Sequence, residues 1–213
     1  MRLLVIDHGC ADPPAGRVFH CRAILAPEGI DVLGCGPARV SNLDGPTPGL
    51  CGIPLRAVAA GNRAFAAAVR GGEPEAFLAT TARIPAALLG LVRETARQAI
   101  AEAVDGFDPA AILVLHAGIF ADLAVETGLP VVVHAAEADL AMARGAGRVA
   151  ELVAAALVSA DVVVPADAGA AAALAADWLD GRPAADDFSG PIDAACGPRL
   201  AAAVRLARRR RDG

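Results

Sequence analysis

The amino-acid sequence predicts an α/β domain with a mostly parallel sheet and helices on both faces. Short, fully apolar runs that suit buried parallel strands alternate with longer segments of helical periodicity. Strands and helices that alternate at this spacing form parallel sheets covered on both sides. The chain of 213 residues is 55% hydrophobic but only 3% aromatic, so it can bury one sizeable core built from small aliphatic side chains.

The N-terminal residues predict a strand, a loop, a helix and a second strand. Residues 2–6 are apolar after Arg2 and lead to an acid and a glycine, which is typical of a buried parallel strand that leads into a loop. A small-residue loop at 12–16 follows. Apolar positions then recur at helical spacing over 17–26 until proline and glycine stop them. Residues 30–33 resemble a second strand, so this region predicts a βαβ unit.

The middle of the chain is less regular. Glycine and proline are dense from 34 to 52, which predicts a long irregular connection with room for short strands. Residues 55–69 have helical character, and 86–104 form a strongly amphipathic pattern that predicts a helix.

The segment from Phe107 to Asp167 is the most regular part of the sequence. It and the residues just beyond it predict strands at 110–116, 130–134 and 161–164 and helices at 120–127, 148–159 and 167–179, the last with Asp167 or the residue before it as its N-cap. We therefore predict a Rossmann-like three-layer domain over residues 1–195 and a C-terminal helix with an Arg-rich end over 196–213.

Charge and composition exclude several classes of protein. The net charge of −5 and the pI of about 5.3 argue against a general affinity for nucleic acid or anionic membranes. Hydrophobic runs are interrupted before the ~20 residues of a membrane span, and the start lacks a cleavable signal pattern, so a cytoplasmic protein is predicted. Five cysteines without CxxC spacing indicate neither a zinc site nor a disulfide framework, and no metal or cofactor is predicted.

Three polar features follow the predicted strands, at the edge where parallel sheets bind ligands. The first is the loop that ends at Gly16 and Arg17, where backbone N–H groups at a helix N-terminus can hold a phosphate. The second is His116, and the third is His134 with Glu137 close behind. A histidine at such a position can act as a general base or donate a hydrogen bond to a sugar hydroxyl, although many are purely structural.

The order of these motifs resembles the N-terminal, acceptor-side domain of the family-4 glycosyltransferases, which have the GT-B architecture. The resemblance covers most of residues 1–195. It is carried, in order, by Pro13-Pro14-Ala15-Gly16, His116-Ala117-Gly118, Gly128-Leu129-Pro130, His134-Ala135-Ala136-Glu137 and Ser159-Ala160-Asp161-Val162-Val163-Val164.

The resemblance implies a transferase that moves a sugar from a nucleotide-sugar donor to a sugar or lipid-linked acceptor. By analogy, Gly16 and Arg17 lie near the donor phosphates, His134 is the catalytic residue beside the acceptor hydroxyl, and His116 and Glu137 bind substrate. These enzymes carry a second Rossmann domain with a Glu-x7-Glu motif that binds the donor. The sequence has no counterpart of it, so the resemblance implies either a second chain that supplies this domain or a truncated or diverged domain with a binding role.

Two other functions remain open on the sequence. A domain of this fold can bind its ligand without turnover. The opening residues Leu4 to Gly9 also look like the start of small cobalt or iron chelatases, in which a strand-end histidine handles metal insertion.

Overall fold

The computed structural model describes residues 1–8, 17–37, 49–55, 62–71, 74–166, 168–177 and 196–212. The strands in these ranges are β1 (Arg2–Asp7), β2 (Asp31–Pro37), β3 (Leu50–Ile53), β4 (Ala111–Leu115), β5 (Val131–Ala135) and β6 (Val162–Pro165). They form one parallel sheet in the order β3-β2-β1-β4-β5-β6. The predicted α/β fold with a parallel sheet is confirmed.

Helices cover both faces of this sheet. Those in the described ranges are α1 (Arg17–Leu25), α2 (Arg63–Gly71), α3 (Pro74–Thr81), α4 (Ala86–Phe107), α5 (Ala121–Glu126), α6 (Glu137–Ala143), α7 (Arg148–Ser159), α8 (Ala168–Asp177) and α9 (Gly197–Asp212). A short 3₁₀ helix, Ala26–Glu28, links α1 to β2. The apolar side chains of α1 and α9 pack on one face, and those of α2 to α8 pack on the other.

The sheet has a point at which the direction of strand addition reverses. From β1 the chain adds β2 and β3 on one side, then crosses to the other side and adds β4, β5 and β6. The carboxyl ends of β1 and β4 are therefore neighbours, and Asp7 pairs in register with Leu115. In open parallel sheets the crevice at such a reversal is the usual place for a ligand.

Tight packing on the α1 face requires glycine at two positions. A Cβ on Gly34 of β2 would lie 2.2 Å from Cγ1 of Val18, and a Cβ on Gly197 of α9 would lie 2.4 Å from the carbonyl oxygen of Ile24. Both contacts are shorter than atoms tolerate, so these glycines let α1 approach the sheet and α9 approach α1. The C-terminal helix predicted at 196–213 is thus packed into the same core.

The predicted elements differ from the structure in the Gly-rich and helical middle. The strand predicted at 30–33 extends to Pro37, and β3 lies inside the stretch predicted as irregular. Glycine and proline disfavour strands, but β2 pairs with β1 on one side and β3 on the other, and that pairing outweighs propensity. Of the helix predicted at 55–69, the described part lies in α2 from Arg63, and residues 56–61 are outside the described ranges. The sequence did not predict α3 or α6.

The Arg-rich end of α9 reaches the opposite edge of the sheet, where the strands begin. Arg210 donates to the carbonyl oxygen of Asp161, the Arg211 Nε lies 3.2 Å from Asp161 Oδ1, and Arg205 lies 3.8 Å from the Glu28 carboxylate. None of the helices in the described ranges is long and apolar enough to cross a membrane.

Candidate functional site

The site begins with an ion pair between the end of β1 and the start of α1. Asp7, the last residue of β1, is only 3% exposed. Arg17, the first residue of α1, donates from Nε to Asp7 Oδ2 at 3.0 Å and from Nη2 to Asp7 Oδ1 at 2.9 Å. Such bidentate, charge-assisted pairs are strong and fix the plane of the guanidinium. One third of the Arg17 side chain stays exposed, so the pair forms a boundary between the core and solvent.

His116 follows β4 and contacts this ion pair. Its Nε2 lies 2.5 Å from Nη1 of Arg17. A guanidinium can only donate, so Nε2 accepts, and a neutral ring then carries its proton on Nδ1. The backbone of His116 has φ of +88°, in the region that L residues rarely adopt, and its N–H donates to the carbonyl oxygen of His134 at 2.9 Å. Such strained backbone clusters at functional sites and costs on the order of 1–3 kcal/mol.

Asp139 lies on the other side of the His116 ring. It is the third residue of α6 and is fully buried, and its Oδ2 accepts a hydrogen bond from the backbone N–H of Ala136 at 2.8 Å. The same Oδ2 lies 3.5 Å from His116 Nδ1. Four side chains thus form a continuous row: Asp7, Arg17, His116 and Asp139. The row alternates carboxylate, guanidinium, imidazole and carboxylate across the carboxyl ends of β1, β4 and β5.

His8 packs against this row from the α3 side. Its ring stacks on Phe77 with 4.4 Å between ring centroids and meets the edge of His116 at 5.0 Å. Burial lowers the pKa of His8 to about 4, although the Asp7 carboxylate acts in the opposite direction. His8 is therefore neutral near pH 7.

Several buried polar atoms of these side chains lack a hydrogen-bond partner in the described part of the chain. They are both ring nitrogens of His8, Nδ1 of His116 and Oδ1 of Asp139. The 3.5 Å separation of His116 and Asp139 is too long for a good hydrogen bond. Buried polar atoms are normally satisfied, so a cluster of unsatisfied ones marks a place where a ligand with hydroxyl groups would gain hydrogen bonds.

The structure brings together some of the predicted site residues and separates others. His116 and Arg17 belong to the row, but Arg17 is engaged with Asp7 rather than free for a phosphate. His134 lies within β5, 4% exposed, with 6.4 Å between its ring centroid and that of His116. Glu137 is exposed and lines the cleft between α3 and α6. Gly16 lies outside the described residues.

A cleft lies between α3 and α6. It has a volume of about 640 Å³, with Glu75, Leu78, Glu137 and Met142 among its lining residues. The two helices that form its walls also supply Phe77, which covers His8, and Asp139, which faces His116. The cleft therefore offers a partly apolar surface with two carboxylates, and no residue of the row is among its lining residues.

The sequence did not single out Phe77, and it noted Asp139 only as the last residue of the polar run that begins at His134. Asp7 and His8 entered as the end of the first strand and in the resemblance to small chelatases. Asp139 stands two residues after Glu137, and only the start of α6 decides which of the two acids faces inward. Phe77 lies in α3, which the sequence did not predict. The helical spacing of apolar residues in that segment was the signal that could have identified it.

No protein-family model matches the chain, and no curated protein matches it in sequence.

Proposed function

We propose that this chain is the acceptor-side domain of a glycosyltransferase that moves a sugar from a nucleotide-sugar donor to a hydroxyl-bearing acceptor. The observation that carries the proposal is the row Asp7, Arg17, His116 and Asp139 at the reversal point of the sheet. It combines a partly exposed cation for a phosphate with an imidazole that can take a hydroxyl proton. The order of sequence motifs supports the same family.

His116 is the group best placed to act as a base. A base must have a free lone pair toward the hydroxyl and a partner that stabilises its protonated form. Asp139 is that partner, because its carboxylate faces Nδ1. Catalytic contacts are often long without substrate and shorten when it binds, which fits the separation of 3.5 Å.

Arg17 controls access to His116. In this state it covers Nε2, the nitrogen that would take the proton. An incoming diphosphate attracts the guanidinium, and its exposed part lets it turn outward. Nε2 is then free to accept the proton of the acceptor hydroxyl. The hydroxyl oxygen forms a bond to the anomeric carbon, and the bond from that carbon to the diphosphate breaks.

This assignment moves the catalytic role from His134 to His116. His134 holds the His116 backbone through its carbonyl oxygen, while its ring lies among the buried side chains of the sheet. Glu137 is placed to bind acceptor hydroxyls in the cleft between α3 and α6. Stabilising the departing diphosphate requires more positive charge than Arg17 supplies, and we assign that task to a donor domain on a second chain.

Calorimetry with UDP-glucose and GDP-mannose tests the proposal, first with this chain alone and then with a candidate donor-domain chain added. We expect binding of one nucleotide sugar in at least one of the two mixtures. An Asp7→Asn/Arg17→Gln double variant should weaken that binding by roughly 10- to 100-fold, the loss of one or two charge-assisted hydrogen bonds. The double change avoids an unpaired buried carboxylate.

The matched control is Arg209→Gln, which removes one positive charge at the opposite edge of the sheet. It should leave the affinity unchanged. The double variant leaves the net charge unchanged, so equal weakening by the control would show that loss of any arginine, not of the row in particular, weakens binding. Binding without transfer to any acceptor would favour the non-catalytic binding domain. No binding in either mixture, or cobalt-dependent metalation of a tetrapyrrole by the chain, would reject the glycosyltransferase.

A further inference from the structure

Two cysteines face each other across the edge of the sheet. Cys35 of β2 and Cys51 of β3 are direct partners in the parallel register. Their side chains lie on the same face, toward α4, where the Cys51 thiol donates to the carbonyl oxygen of Ala99 at 3.5 Å. Adjacent strands are ~4.8 Å apart, which lies within the range of Cα separations that disulfides span.

The two thiols differ in exposure and in acidity. Cys35 is fully buried, whereas Cys51 lies on the edge strand and is partly exposed. Interaction with the neighbouring Cys35 thiol lowers the pKa of Cys51 to about 7, against the effect of burial. Interaction with Cys51, followed by burial, raises the pKa of Cys35 well above its usual value. Cys51 thus has the properties of a reactive thiolate, and the buried Cys35 beside it has those of a resolving thiol.

We propose that Cys51 and Cys35 form a redox pair that closes into a reversible cross-strand disulfide when a hydroperoxide reaches Cys51. The Cys51 thiolate attacks the terminal oxygen of the hydroperoxide, the O–O bond breaks, and Cys51 sulfenic acid and an alcohol result. Cys35 then attacks the Cys51 sulfur, the S–O bond breaks, and water leaves. In total, two thiols and one hydroperoxide give one disulfide, one alcohol and one water.

The disulfide should be easily reduced. Disulfides prefer Cβ atoms about 3.8 Å apart. The Cβ atoms of residues in register on neighbouring strands are separated by the strand spacing of ~4.8 Å, which is longer. Closing the bond pulls β3 toward β2, and the resulting strain raises the reduction potential. A dithiol therefore restores the pair, and the bond joins the edge strand β3 to the strand beside β1.

The full-length protein provides a direct test, because Arg39 lies between the two cysteines and trypsin separates them. Cys35 falls in peptide 23–39 and Cys51 in peptide 40–56. After treatment with hydrogen peroxide, alkylation and non-reducing digestion, we expect these two peptides to be linked in protein that still runs as a monomer. The link should disappear after dithiothreitol. Peroxide that leaves both peptides alkylated, or that takes Cys51 to sulfinic acid without a link, overturns the proposal.

Cys35→Ser sharpens the test because it keeps a hydrogen-bond donor but removes the second sulfur. In this variant Cys51 sulfenic acid should persist and be trapped by dimedone, with several-fold more adduct than in the wild type. Cys21→Ser serves as the matched control, since Cys21 is buried on the other face of the sheet, and the link should form in it as before. Should Cys35→Ser fold poorly, Cys51→Ser on the edge strand must abolish both the link and the adduct. Dimedone adduct at equal levels in wild type and Cys35→Ser would contradict a resolving role for Cys35.

Discussion

The Nη1 atom of Arg17 lies 2.5 Å from Nε2 of His116, which joins the start of α1 to the end of β4. The contact occupies the lone pair that a catalytic histidine would use. At the same time Asp7 holds the guanidinium through two further hydrogen bonds. In this arrangement Arg17 blocks Nε2 of His116. The proposed function requires that a ligand draw Arg17 away so that this nitrogen can accept a proton.

His116→Gln should lower kcat for sugar transfer by at least ~100-fold, because an amide cannot take the hydroxyl proton. KM should change little, since the amide still accepts a hydrogen bond from Arg17. The measurement is initial-rate kinetics with the donor-domain chain present. His134→Gln is the comparison, and it should retain most of the wild-type kcat. A larger loss in His134→Gln than in His116→Gln would return the catalytic role to His134.

His116→Gly should be more stable than His116→Ala by about 1 kcal/mol. Both variants lack the imidazole, so the difference reports the backbone alone. At φ of +88° an alanine keeps the strain that a glycine relieves. Urea unfolding of both variants measures the difference in the free energy of unfolding. Equal stability would mean that position 116 relaxes to an ordinary conformation once the ring is gone.

His8 should make the protein less stable in mild acid. Its pKa is about 4 in the folded chain and about 6.5 when unfolded, so the unfolded state binds the proton more readily. The free energy of unfolding is therefore highest above pH 6.5, where His8 is neutral in both states, and it falls as the pH drops toward 4. The total loss is about 3 kcal/mol from the shift between the two states.

Unfolding curves collected between pH 7 and pH 4 test this for His8→Phe, which retains a ring against Phe77. The variant should lose a large part of the pH dependence. His20→Gln changes an exposed histidine of α1 and should keep all of it. A pH profile that is the same in wild type and His8→Phe would exclude His8 as its source.

Asp122→Ala should cost about 3–5 kcal/mol of stability. Arg93 of α4 is 7% exposed, and it donates to both carboxylate oxygens of Asp122 and to the carbonyl oxygen of Ile119. Removing the carboxylate leaves a buried cation without its counter-charge. Thermal and denaturant unfolding measure the loss.

The same helix pair offers an internal control. Arg97 and Glu126 form an equivalent ion pair between α4 and α5, but both side chains are more than 40% exposed. Glu126→Ala should cost no more than about 1 kcal/mol, because solvent screens the pair. Similar losses in Asp122→Ala and Glu126→Ala would show that burial does not determine the strength of these bridges.

The sequence by itself determined the layered α/β fold and most of its second half. In the segment from Phe107 to Asp167, the apolar runs that became β4, β5 and β6 are buried on both faces, so their hydrophobicity alone identifies them. It also placed His116 and His134 at the edge where the strands end. By contrast, the sequence predicted a strand only at 30–33; the second half of β2 contains two glycines and a proline, and pairing with both neighbours extends the strand to Pro37.

Only the tertiary structure decided how the site is composed. Arg17 and His116 are 99 positions apart, and the reversal of strand order between β1 and β4 brings them together. The direction in which α6 starts turns Asp139 inward and leaves Glu137 outside. Periodicity along the chain reports which residues are apolar, but distances between separate elements depend on the order of strands and the packing of helices. That order is fixed by the fold as a whole, so no local pattern reveals it.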